Sequence, residues 1–181
     1  VKRLSCCVKL AKSPHFQFFP IVQDPAPDQI IQLVESLFSA AAQTNERRLL
    51  VLHGDRRSLQ AVAESLLQAQ PSRHRLWVSE PARQSDPLGI SDNRFARMSA
   101  AQALKTLGRE HEFIVFDGWA GLHPDAFCAL AGTLVGGGLM VLLLPDPECD
   151  PQWRDPDYDR MVPYGFDTGS VTQHFVERVL K

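Results

Sequence analysis

Two short stretches hold the residues whose types could do chemistry. His53-Gly54-Asp55 closes the apolar run Leu49-Leu50-Val51-Leu52, and Asp117-Gly118-Trp119, with Gly121 beyond it, closes the run Phe113–Phe116. A carboxylate just after a buried strand resembles the magnesium-binding Asp of a nucleotide hydrolase, but the same residue type is the ordinary cap of a loop. Gly54, Asp55, Asp117 and Trp119 thus define the one candidate cofactor crevice. A phosphate site would need more. A P-loop requires glycines that free backbone amides and a Lys-Ser/Thr pair for phosphate and magnesium. The turn here reads HGDRRSLQ, with one glycine and no such pair. The dinucleotide fingerprint fails for the same reason, since only Gly54 is present. Asp117 is therefore expected as a loop cap, with no bound magnesium.

The remaining candidates carry less. His53 and His123 lack a ligand spacing, so no metal site is predicted. No Gly-x-Ser-x-Gly elbow exists, which removes the commonest hydrolase reading. Cys128 lies beside the apolar stripe of its helix and is expected as a small core residue rather than a nucleophile. Trp119, an indole in a glycine-flanked loop, is either a lid over the core or a contact for a partner. No residue is assigned a catalytic role. The four cysteines, two of them adjacent at Cys6-Cys7, make neither a disulfide framework nor a metal spacing, so a reduced, cytoplasmic setting is expected.

The elements that must position these residues follow from apolar periodicity. The 181 residues suit one domain, and no apolar run reaches the length of a membrane span. Residues 1–26 read as an arm, in which HFQFFPIV could add an edge strand, Pro20 excluding it from the sheet centre. A helix from the prolines at 25 and 27 to about Gln43 presents Ile30, Ile31, Val34, Leu37, Phe38 and Ala41 on one stripe. Strand 49–53 follows, then a helix with Leu59, Val62, Ala63, Leu66 and Leu67 on one face, then strand 75–79. Residues 80–93 read as loop and Phe95–Met98 as a short strand. Ser99-Ala100-Ala101-Gln102 is a capping box for a helix to Leu107, with Gly108 its stop. The runs at 113–117 and 139–144 are continuous enough to be strands buried on both faces. Between them lies a helix opened by Pro124 and closed by Gly136-Gly137-Gly138. Residues 146–169, rich in Pro and Asp, read as irregular. A second capping box at Ser170 opens a last helix.

Strand–helix–strand alternation of this kind implies an α/β domain, three-layered and Rossmann-like, with a parallel core sheet of about five strands. The order expected is 3-2-1-4-5, which makes 49–53 and 113–117 neighbours at the switch point and gathers the candidate residues at their carboxyl ends. Charge is uneven along this fold. Residues 1–111 carry a balance of +5 and residues 112–181 a balance of −7, giving the net −2. The basic half comes in pairs, Arg47-Arg48, Arg56-Arg57, Arg73 with Arg75, and Arg94 with Arg97; the acidic half is densest from Asp146 to Asp159. Solvated loops of opposite sign are one reading and a basic edge that meets RNA or an acidic neighbour is the other. No aromatics interleave with the arginines, which weakens the second.

Several segments, in order, carry a resemblance. Arg47–Asp55 (RRLLVLHGD) resembles the opening of the N-terminal domain of bacterial tRNA(Met) cytidine acetyltransferases, and Leu76-Trp77-Val78-Ser79 its second strand. Leu107-Gly108-Arg109-Glu110 with Val115-Phe116-Asp117 is similar to the family's LGRE…VFD motif. Gly121, Ala126-Phe127 and Ala129–Leu134 match its GF…AF.ALSGTL segment, with Ala131 where the family often has Ser. Leu142–Pro145 and His174-Phe175-Val176 continue the match. The resemblance covers residues 27–181 as a single domain and leaves 1–26 outside.

The resemblance implies a large cytoplasmic enzyme that acetylates the wobble cytidine of elongator tRNA(Met), using acetyl-CoA and hydrolysing ATP or GTP with magnesium. A helicase-like module of the same polypeptide, an acetyltransferase module and a tRNA-binding tail would follow the region seen here. The family's catalytic residues therefore have no counterpart to be carried onto this chain, which is expected to be a non-catalytic N-terminal domain with no cofactor of its own. The rival expectations are a standalone Rossmann-like small-molecule or nucleotide-binding protein, and an adaptor in RNA metabolism.

Overall fold

A computed structural model describes residues 7–10, 26–79, 92–146, 153–160 and 162–167, with single positions at 169, 172 and 174. Helix α1 (Pro27–Thr44) starts where Pro27 supplies a first-turn residue that needs no N–H, and Gln29 Oε1 accepts the Ala26 N–H at 3.1 Å. It ends at Asn45, whose left-handed φ of 54° lets Glu46 donate back to Ala41 O. Helix α2 (Arg56–Ala69) is capped by Asp55, whose Oδ1 accepts the N–H groups of Arg57 and Ser58, each at 3.1 Å.

Six strands form one sheet: β1 (Cys7–Leu10), β2 (Arg48–Gly54), β3 (Arg75–Val78), β4 (Phe95–Met98), β5 (His111–Asp117) and β6 (Leu134–Pro145). Their order is β1-β2-β6-β5-β3-β4, with β1 antiparallel at the edge and the other five parallel. On one face, α1 and α2 bury Ile30, Val34, Leu37, Phe38, Leu59 and Leu66 against Leu50, Leu52, Phe113, Val115, Leu139 and Val141. On the other, a 3-10 helix (Ala100–Thr106), α3 (Pro124–Thr133) and the short α4 (Asp157–Arg160) cover Leu76, Ile114, Phe116, Met140, Leu142 and Leu144. Successive residues of β5 and β6 alternate between these two cores, which is why both strands read as unbroken apolar runs.

The class is thus the expected three-layer α/β fold with five parallel core strands. The position of one strand differs. The expected order 3-2-1-4-5 becomes 3-2-4-5-1: the strand at 49–53 pairs with β6 rather than with 113–117, and β5 sits between β3 and β6. Each crossover satisfies the same chain rules whether it steps over one strand or two, so local pattern does not count the strands crossed. Burial decides it. Phe113–Phe116 and Leu139–Leu144 are buried throughout, and a central place covers both of their faces.

Smaller differences follow the same logic. The glycine triplet 136–138 does not end α3, which stops at Thr133 with its hydroxyl donating to Leu130 O at 2.8 Å. It lies inside β6 as a bulge: His111 pairs with Leu134 but Phe113 with Leu139. There Gly137, at φ 82°, donates to Glu46 O at 2.8 Å and lets the end of α1 approach the sheet. The stretch at 99–107 is a 3-10 helix, held at its start by Gln102 Oε1 accepting the Ser99 N–H at 3.2 Å. The edge strand of the arm is Cys7–Leu10. The segment HFQFFPIV, the loop 80–91 and the last helix after 174 lie outside the described residues.

Candidate functional site

The sheet's carboxyl edge carries the sequence candidates, and β6 parts them. Gly54 is level with Pro145, and Asp117 with Leu143 on the far side of that strand. Two strand spacings, about 9–10 Å, and a stagger of two residues along the strands therefore separate Gly54 from Asp117. The expected juxtaposition of His53-Gly54-Asp55 with Asp117-Gly118-Trp119 is corrected accordingly. Asp55 is engaged in capping α2. Asp117 Oδ1 accepts the Trp119 N–H at 3.1 Å and so caps the 3-10 turn Gly118–Ala120. Gly118 is pressed on the end of β6: a Cβ there would stand 2.9 Å from Leu143 O and 2.8 Å from Leu144 Cδ2. Trp119 is half-buried, and its Nε1 is shielded from solvent with no hydrogen-bond partner among the described residues. That is the geometry of an indole folded onto its own domain.

The histidines also go separate ways. His53 is buried, with Nδ1 3.4 Å from Pro145 O. His123 Nδ1 lies 2.7 Å from Asp157 Oδ1. Among the described residues no three metal-ligating side chains gather. Cys128 is exposed rather than a core residue, because the buried positions of α3 are Ala126, Leu130 and Thr133.

Sequence reasoning missed a buried polar cluster in the acidic segment read as irregular. Asp146, Asp155 and Asp157 are buried. Both oxygens of Asp155 stand 3.1 Å from the Leu122 N–H, and Oδ1 also accepts from Asp157 N at 2.9 Å. Burial lifts the Asp155 carboxyl above its usual range, aided by the nearby Asp157 charge and opposed by the Asp157 and Leu122 amides and by His123. Gly121, at φ 125°, leaves room for these groups: a Cβ would meet Asp155 Oδ1 and Asp157 N at 3.1 Å. The cluster clamps residues 153–160 beneath the loop 118–123 and seats Tyr158 in the second core. The only sequence signal was the Asp-x-Asp spacing, hidden among other acidic residues.

The basic pairs are largely spent inside the domain. Arg48 pairs with Glu46 at 3.3 Å, and Arg73 lies 3.8 Å above the Phe38 ring and 3.6 Å from Glu112. Arg75 is buried, donating to Leu67 O at 2.5 Å and pairing with Asp92. Arg94 donates to Ser72 O at 2.6 Å, and Arg97 to Ser79 Oγ at 2.9 Å while covering Trp77. These contacts pin the β3–β4 edge to α2.

Comparison with known proteins identifies the relatives of this chain. The family described as "tRNA(Met) cytidine acetyltransferase TmcA, N-terminal" matches residues 23–181. A tRNA(Met) cytidine acetyltransferase of Nitrosococcus halophilus is 35% identical over 162 residues, covering 90% of this chain and 20% of the relative. The Salmonella typhimurium protein of the same name is 36% identical over 133 residues, 72% of this chain and 18% of the relative. That of Haloarcula marismortui is 36% identical over 154 residues, 83% of this chain and 19% of the relative. The chain spans about a fifth of the length of these curated relatives. With a family match across most of its length, the chain belongs to the tRNA(Met) cytidine acetyltransferase family, as its N-terminal domain.

Proposed function

We propose that this domain is a non-catalytic part of an enzyme that forms N4-acetylcytidine at the wobble position of elongator tRNA(Met). The single observation that carries the reading is the family match over residues 23–181. Acetyl-CoA, ATP or GTP with magnesium, and tRNA(Met) are then ligands of the whole polypeptide, which works in the cytoplasm. The single domain begins near residue 27, with residues 1–26 an arm. A helicase-like module of the same chain is its neighbour. The geometry supports a scaffold role: Asp55 and Asp117 are engaged as caps, and β6 keeps them apart.

The test uses the full-length polypeptide and the 181-residue chain side by side, each with tRNA(Met), acetyl-CoA and ATP. Mass spectrometry of the tRNA should find acetylcytidine only with the full-length protein, and phosphate release only there. Turnover by the 181-residue chain above a buffer blank, abolished by Asp117→Ala, would overturn the non-catalytic assignment. A full-length protein that leaves the wobble cytidine unmodified would overturn the family activity.

A further inference from the structure

The two helical layers differ in what they show to solvent. On α1 and α2 the exposed side chains are polar or small: Asp28, Gln32, Glu35, Ser39 and Gln68 among them. All four exposed large apolar side chains among the described residues lie elsewhere. Leu104 and Leu107 are 57% and 60% exposed at the 3-10 helix, and Tyr164 and Phe166 follow α4. Both of those helices belong to the second layer. In a 3-10 helix residues three apart eclipse one another. Ala103 and Thr106 thus form the buried row, while Ala101, Leu104 and Leu107 form an outer row. An apolar row facing outward is a pattern expected of a surface that is covered in the working protein.

We infer that these exposed apolar side chains, Leu104 and Leu107 on the 3-10 helix and Tyr164 and Phe166 beyond α4, mark the docking surface for the polypeptide that follows this domain in the full-length enzyme. The inference rests on the reading of the chain as the amino-terminal part of that enzyme. The occupant is argued from length and position. The relatives carry about four-fifths of their residues outside the matched part, and the match is to the family's N-terminal region. Tyr164 and Phe166 lie on the stretch of chain leading from α4 toward that remainder. The polar α1–α2 layer offers no comparable apolar row.

Hydroxyl-radical footprinting, read residue by residue by mass spectrometry, tests this on the full-length polypeptide and on the 181-residue chain. Labelling of Leu104, Leu107, Tyr164 and Phe166 should fall at least threefold in the full-length protein, with the α1 surface unchanged. A double variant, Leu104→Glu with Leu107→Glu, should leave the melting temperature of the 181-residue chain within about 2 °C and restore labelling of Tyr164 and Phe166 in the full-length protein. Equal labelling in both proteins overturns the surface, even if the full-length protein acetylates tRNA. Protection of the 181-residue chain that rises with its own concentration also overturns it, making the occupant a second copy. Protection in a full-length protein without acetylation keeps the surface and removes the functional reading.

Discussion

Asp155 shows how a single residue can organise a segment that looks unstructured in sequence. Its carboxylate is buried and receives the Leu122 and Asp157 amides. Asp155→Ala would leave those donors without their acceptor, and urea denaturation should show a loss of about 2–4 kcal/mol. Asp155→Asn keeps one carbonyl acceptor and should lose less. The pH dependence has a definite sign. The folded carboxyl titrates above its unfolded value of about 3.9, so the native state binds more protons in that window. The group's contribution is fully present below the unfolded value and is lost as pH rises through the folded one. The stability deficit of Asp155→Asn relative to the native sequence should therefore narrow as pH rises from about 4; a flat difference across that range would count against the assignment. Trp119, half-buried on its own turn, predicts that Trp119→Ala lowers the stability of this chain by about 1.5–3 kcal/mol. An unchanged denaturation midpoint would instead mark the indole as a partner contact.

At the scale of elements, helix ends and the β6 bulge set the geometry. Asp55 satisfies two amides at the start of α2. Asp55→Ala should cost about 0.5–2 kcal/mol by thermal or urea denaturation, the ordinary value of a lost N-cap. Lost activity of the full-length enzyme with no more than that loss of stability would mark the crevice as a ligand site. Gly138 sits in the bulge where a Cβ would lie 2.9 Å from Val135 O and 3.0 Å from Glu112 O. Both are backbone atoms, so they cannot rotate away. Gly138→Ala should destabilise by about 1–3 kcal/mol, within the range seen for overpacked sites.

The molecule as a whole has a slight negative charge, and Arg48, Arg73, Arg75, Arg94 and Arg97 are engaged in ion pairs, ring contacts and carbonyl or hydroxyl contacts. Weak RNA binding by the 181-residue chain is expected, with a dissociation constant of about 10⁻⁴–10⁻⁶ M at physiological salt, steep loss with added salt, and no preference for tRNA(Met). Fluorescence anisotropy with tRNA(Met) and an unrelated tRNA decides it. Tight binding that survives high salt would show that the arginines form a true site.

Helices α1 and α2, the strand runs and the α/β class were legible in sequence because period and capping are local. Ile30 to Ala41 and Leu59 to Leu67 form stripes whatever they face, and Asp55 caps whatever follows. The family was legible too, since motifs persist in linear order. Strand order was not: parallel pairing joins distant segments, and only the burial of β5 and β6 on both faces decides who sits between whom. The two halves of the candidate crevice are set on either side of β6 for that reason. The fate of charge was equally hidden. An aspartate in an acidic stretch reads as solvated, yet Asp155 and Asp157 are buried where the loop at 118–123 closes over them, and Arg75 is buried against α2. Sequence sets which groups are available; tertiary packing decides which of them lose their water.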